Sequence, residues 1–211
     1  RFAYTVLEDP GKGREYDAGF LTAALHEARH MLEKNPEAPQ VVEHFLDTIV
    51  YHHMQKAVDA LESGPLQQFF ALQVLAENCK RLVRRSEAEQ EFFLEPKSVL
   101  PSTRSNLTGS EITAAARGTI LEALLQEGKT LHEEGKPLAE WELRLDLAVL
   151  HTLYWPARAN PFGPENLVVY FLTKARNAEI IRAIVVGKQN LLPADALREM
   201  VAPYFQYLRR T

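Results

Sequence analysis

The stretch that decides the fold is "FGPENLVVYFLTKARNAEIIRAIVVGKQNLLPADALREM", residues 162–200. Pro164 can open a helix because its missing N–H lies where the first turn has no intrahelical partner. On a wheel turning about 100° per residue, Leu167, Phe171, Ala178, Ile181 and Val185 share one arc. That spacing predicts one long helix with this arc as its buried stripe. Pro193 opens a further helix to about Tyr207. Lys174 and Arg182 fall on the same arc as the apolar residues. A cation there needs a carboxylate partner or a path to water, because unpaired burial of charge is costly. For Arg182 the expected partner is Asp146, at the edge of the apolar face of its own helix.

Working outward, the period remains helical. Residues 19–34 carry Leu21, Ala24, Leu25, Ala28, Met31 and Leu32 at three- and four-residue steps, and Asn35-Pro36 ends the run. Residues 41–63 repeat the pattern through Val42, Phe45, Leu46, Ile49, Val50 and Met54 until Gly64-Pro65 stops it. A third helix is expected from Leu66 to about Arg85. Residues 87–109, with Pro96, Pro101 and a short "EFFLEP", read as a connector. Ser110 is expected to cap a helix over 111–126, with Gly128 and Gly135-Lys136-Pro137 punctuating its end. Residues 138–160 follow, with Pro156 kinking or ending them. No segment alternates with period two, so the fold class is all-α.

A shift of about 99 residues lays one half of the chain on the other. It brings Leu46-Asp47 onto Leu145-Asp146, Val50 onto Val149 and His52 onto His151. It also brings Ala60 onto Ala159, Gly64-Pro65 onto Gly163-Pro164, and Asn78 onto Asn177. The coincident helix breaks predict two related helical repeats, residues 1–100 (with an N-terminal lead-in) and 101–211.

Bulk properties narrow the class. The 211 residues are 46% hydrophobic and 25% charged, with net charge −4, a globular composition with no general basis for binding nucleic acid. A lone cysteine, Cys79, excludes an intramolecular disulfide framework and fits a reducing compartment. It lies in a helix rich in Arg and Lys, a setting that lowers a thiol pKa, but a lone cysteine is usually structural. No apolar run approaches the roughly 20 residues that span a bilayer, so no direct membrane insertion is expected. The start at Arg1 reads as a processed or excised piece.

"HEARH", residues 26–30, has the H-E-x-x-H form of a zinc peptidase. Its histidines, however, point away from Leu21, Leu25, Ala28 and Leu32, toward Arg29 and Glu33. A zinc peptidase helix turns its histidines into a walled cleft. Glu43 and Asp47 are the nearest imaginable further ligands. In "YHHMQ", residues 51–55, adjacent histidines diverge around the helix and cannot share a metal, and His53 is expected in the core or at a helix interface. With no phosphate-binding glycine loop, no G-x-S-x-G and no paired cysteines, the reading is no catalytic residues, no metal and no cofactor. The alternatives are a helical ligand-binding or scaffold protein and a zinc metallopeptidase resting on HEARH alone.

The sequence also resembles a family: the C subunit of the V-type ATPases and ATP synthases (A/V-type), whose eukaryotic counterpart is the d subunit. Its last repeat reads F-G-x-E-P-L-x-x-Y-L-x-x-K, then I-R-x-I, G-K-x-N-x-L-P and I-R. Here Phe162, Gly163, Glu165, Leu167, Tyr170, Lys174, Ile181, Arg182, Ile184, Gly187, Lys188, Asn190, Pro193 and Arg198 carry the likeness. Residues 46–95, with the basic "ENCKRLVRR" at 77–85, resemble the family's middle repeat. Two features depart from it. The glutamates that usually follow the lysine are Ala175 and Asn177 here, and the glycine pair of the middle connector is absent from 95–101. No inherited role attaches to those positions.

The resemblance implies a funnel of three helical repeats, of which this chain shows two, the N-terminal copy being absent. It further implies a non-catalytic central-stalk rotor subunit, peripheral on the cytoplasmic face of the membrane. Such a spacer links the axle of the catalytic head to the membrane rotor ring, for ATP-coupled proton or sodium transport. Partner-binding or funnel-lining charge is expected at Arg81, Arg84, Arg85, Lys174, Arg182 and Lys188.

Overall fold

The computed structural model describes residues 19–34, 39–84 and 108–208. All regular structure in these residues is helical: α1 (Gly19–Lys34), α2 (Pro39–Ala60), α3 (Gly64–Arg84), α4 (Gly109–Ala116), α5 (Leu121–Glu133), α6 (Ala139–Ala159), α7 (Pro164–Gln189) and α8 (Ala194–Leu208). The connector at 87–109 lies largely outside the described residues, as does Arg85. Contacts group the chain into two compact units, Arg1–Ala60 and Leu61–Thr211.

In the first unit α1 packs on α2. Ala24, Leu25 and Ala28 are buried, while His26 and His30 are exposed. His52 is exposed, and so is His53, contrary to the core or interface position expected for it. Both lie on the exposed side of α2, where an imidazole keeps its hydrogen bonds to water without needing a buried partner.

The second unit is built around α3, which packs on α4, α5 and α6. Its buried residues run from Leu66 through Phe69, Phe70, Leu72, Val74 and Leu75 to Val83. Leu145, Leu153 and Trp141 of α6, Leu121 and Leu125 of α5, and Ile112 of α4 complete the core. Lys80 Nζ donates to Asp146 Oδ1 at 2.6 Å. One turn along, Arg84 grips Glu142 through Nε at 2.6 Å and a terminal nitrogen at 2.5 Å. The two pairs run in opposite directions along the chain, so α3 and α6 are antiparallel. Asp146 does turn inward, but it faces α3, so its partner is Lys80 and not Arg182.

Three local features differ from the sequence expectation. The helix expected over 111–126 is two helices, α4 and α5, separated at Gly118, whose φ of 71° is open to glycine at little steric cost. The cap is Thr108 rather than Ser110. Its hydroxyl accepts Glu111 N–H, and the Glu111 carboxylate accepts Thr108 N–H at 2.8 Å, a reciprocal capping box. Gly128 ends nothing. It is buried within α5, where a Cβ would stand 2.4 Å from the Trp141 ring. Trp141 Nε1 donates to Leu124 O at 2.6 Å, which seats the indole on that gap.

α2 ends at Ala60 and α6 at Ala159, and the next helices open at Gly64 and Pro164. The two repeats expected from the sequence and the two compact units divide the chain differently: α3, which follows the first corner, packs on α6, which precedes the second.

Candidate functional site: the outward face of α7

The second corner fixes how α7 is presented. Gly163 precedes the helix in an extended conformation, and Pro164 occupies its first turn. Asn166 Nδ2 donates to Ala157 O at 2.8 Å and to Asn160 O at 2.6 Å, tying the end of α6 to the start of α7. Glu165 is buried and accepts a hydrogen bond from the Ser63 hydroxyl at the first corner. Ser63 also closes the first turn of α3: its Oγ accepts Leu66 N–H at 3.3 Å and its carbonyl accepts Gln67 N–H at 3.0 Å. The start of α7 and the start of α3 therefore meet at one carboxyl, and helix N-termini favour negative charge. The other oxygen, Oε2, has no hydrogen-bond partner among the described residues. It would lie 2.0 Å from a Cβ on Gly163, so a side chain at this corner would have to displace the Glu165 carboxylate and the Asn160 amide.

These anchors choose the inward face of α7. Glu165, Ile180 and Gly187 are buried. Tyr154 of α6 meets Thr173 through their hydroxyls at 3.2 Å. A Cβ on Gly187 would lie 2.2 Å from Leu197 Cδ2, so α8 approaches α7 closely there.

The expected buried stripe is consequently on the opposite side. Phe171 is 61% and Ile181 62% exposed, and Leu167, Ala178 and Val185 are exposed with them. The arc exists as the spacing predicts, but it faces away from the core. α7 is apolar nearly all the way round, through Val168, Val169, Leu172, Ile180 and Ile184 on its other sides. Hydrophobicity therefore could not select the packed face; the hydrogen bonds of Glu165 and Asn166 and the small Gly187 do.

Of the six cations singled out by the resemblance, three lie on this outward arc. Lys174, Arg182 and Lys188 are all exposed. Lys174 Nζ sits over the Tyr170 ring, 5.4 Å from its centre, a cation–π contact. Arg182, expected to be partly buried, is not. Arg81 and Arg84 have a different place. The Arg81 side chain is largely covered and lies 3.7 Å from Glu77 within α3. Arg84 is held by Glu142, a hydrogen bond that raises its pKa above the ordinary guanidinium value. The structure thus brings together Lys174, Arg182 and Lys188 and leaves Arg81 and Arg84 on α3, away from that arc.

Other sequence candidates show no convergent chemistry. Arg29, between the HEARH histidines, pairs with Glu33 at 3.0 Å on the exposed side of α1. Among the described residues no three His, Cys, Asp or Glu side chains gather in a metal-holding group. Cys79 is buried, and burial pushes its thiol up to about 12, with Lys129 acting in the other direction. The basic sequence around it does not lower its pKa, because burial of the thiol outweighs the one cation that opposes it, Lys129. Among the described residues no helix is long and apolar enough to cross a membrane.

No curated protein and no solved structure matches the chain. The family model described as ATP synthase (C/AC39) subunit matches residues 17–200, which include the first helix, both corners and the outward face of α7. The all-helical architecture agrees with that match, and the chain belongs to the ATP synthase (C/AC39) subunit family of the V-type rotary complexes.

Proposed function

We propose that this protein serves in the central stalk of a V-type ATPase or ATP synthase as a non-catalytic rotor spacer. It links the central axle of the catalytic head to the membrane rotor ring, so that ATP turnover and proton or sodium transport remain coupled. Its position is peripheral, at the cytoplasmic face of the membrane, and it takes no cofactor. The division into a middle repeat over 1–100 and a C-terminal repeat over 101–211 belongs to the same proposal, supported by the matching helix ends at Ala60 and Ala159.

The observation that carries this reading is the family match over residues 17–200. The physical design agrees with it. A spacer that passes torque needs fixed helix directions and surfaces for its neighbours, and reactive groups are of no use to it. The core around α3 supplies fixed direction, and the outward face of α7 supplies a surface.

Reconstitution tests the proposal. The full-length protein is combined with purified axle and membrane ring, and ATP hydrolysis and ion pumping are measured separately. Omitting the protein should abolish pumping while leaving hydrolysis by the isolated head intact. Normal pumping without it, or a protein that bridges neither partner, would overturn the proposal.

A further inference from the structure

We propose that the outward face of α7 is a docking surface for an amphipathic helix that carries carboxylates within its apolar stripe. The face is the arc of Leu167, Tyr170, Phe171, Ala178, Ile181 and Val185, with Lys174, Arg182 and Lys188 set among them. Tyr170 is 56% and Leu167 60% exposed, so the apolar side chains stand in solvent along the helix. From Leu167 to Val185 the arc is about 27 Å long at the rise of an α-helix. Contiguous apolar surface of this kind marks an interaction site more often than single exposed residues do.

Charge identifies the occupant. α7 has two acidic residues. Glu165 is buried in the corner, and Glu179 lies off the arc, where it binds Arg176 at 2.8 Å. The arc itself bears three cations and no carboxylate. A second copy of this chain is therefore a poor occupant, because no register of the face against itself brings opposite charges together. An antiparallel pairing centred on Ala178 sets Lys174 against Arg182, and a parallel one sets each cation against itself. Like charges in a desolvated interface oppose association. An anionic lipid surface is disfavoured too. Stable adsorption calls for a strongly basic face, and this chain has a net charge of −4. A helix with an apolar stripe and carboxylates spaced by about 12 and 9 Å along it satisfies both the apolar side chains and all three cations.

The inference rests on the rotor reading in one respect only: it takes the partner helix to belong to the axle. Two probes separate the two ideas. The first is the purified axle, titrated against the full-length protein at low and high salt. The K174E/R182E/K188E variant and the F171D/I181D variant should each weaken binding by about tenfold or more, and the charge variant should flatten the salt dependence. The second probe is a designed helical hairpin with a leucine face bearing glutamates at the matched positions, compared with a twin bearing lysines. The wild-type protein should prefer the glutamate hairpin, and K174E/R182E/K188E should reverse that preference.

Axle binding that ignores both variants would overturn the inference and leave the rotor reading intact. Failure of axle and ring to bind, with the hairpin preference retained, would overturn the rotor reading and leave the surface. Equal binding of the two hairpins would remove the charge argument and with it the inference. So would self-association abolished by F171D/I181D, or charge-dependent binding to vesicles of anionic lipid. Circular dichroism and melting of both variants should match wild type; a melting point several degrees lower in F171D/I181D would mean that the chain covers this face itself, which also overturns the proposal.

Discussion

α3 and α7 begin alike and end differently. Each follows a Gly-Pro corner, the two corners coincide under the 99-residue shift, and both helices are rich in large apolar residues. α3 nevertheless buries eleven residues and α7 three, a contrast that separates a core helix from a presented one. The cations follow the same division. On α3, Lys80 and Arg84 are matched to Asp146 and Glu142, whereas on the outward arc of α7 the cations face solvent. One local code therefore yields a core element or a surface element according to how many neighbours close over it. The sequence of each helix describes its own faces and is silent about the neighbours.

The sharpest way to break this contrast is truncation. Leu75→Ala, in the middle of α3, should destabilise the protein by about 2–5 kcal/mol through lost burial and the cavity left behind. Phe171→Ala on α7, although it removes a larger side chain, should change stability by less than about 0.5 kcal/mol. Chemical denaturation of both variants checks this, and comparable losses would erase the distinction.

The charges give a smaller effect. Asp146→Ala leaves the mostly covered Lys80 without its shortest contact and should cost about 1–3 kcal/mol. Arg182→Ala should be within about 0.5 kcal/mol of wild type. A double-mutant cycle between Lys80 and Asp146 should show coupling, and one between Arg182 and Asp146 should show none.

Thiol chemistry reports the same difference at individual sites. At pH 8 Cys79 should react with a thiol reagent only as fast as the protein opens, while the thiol introduced by Ala178→Cys should react at the rate of an exposed one. The sign of the pH effect follows from the raised pKa: between 9.0 and about 12 the native state holds a proton that the unfolded chain has released. The contribution of Cys79 to stability is complete below that window and is lost as pH rises through it. Cys79→Ala should flatten this alkaline loss in urea titrations from about pH 8 to 11.

The smallest expected effect is at the end of α7, where Leu191 has a φ of 57° and is 90% exposed. Leu192 N–H closes on Gly187 O at 2.9 Å across it. The left-handed conformation suits glycine, so Leu191→Gly should leave stability unchanged or raise it by up to about 1 kcal/mol. A loss would mean that the side chain contributes to the turn.

How far the fold is legible follows from what kind of information each feature needs. The bounds of α1 and the openings of α3 and α7 are readable, because Asn35-Pro36 and the two Gly-Pro corners are local stop and start signals. Thr108 is readable too, in the T-x-x-E pattern of "TGSE", although the adjacent Ser110 competes with it for the role of cap. Gly128 is not: nothing local tells a glycine that ends a helix from one that admits a tryptophan of the next helix. The partner of Asp146 is likewise hidden, since its inward direction is a property of α6 but the identity of Lys80 is a property of packing. For the candidate site, the sequence shows the arc on α7 and three of its charges, and does not show that the arc faces out.

One further consequence lies in the joint between the corners. α7 has 26 residues, which makes it a lever about 39 Å long. Angular play of about 5° at its root would carry the far end through about 3 Å, comparable to the rise of two helical residues. The bond between the buried Ser63 and Glu165 side chains pins that root, and tilting must break a hydrogen bond shielded from water. The corner thus sets the backlash of the whole arm, and loosening it should blur positions at the distant tip more than at the joint itself.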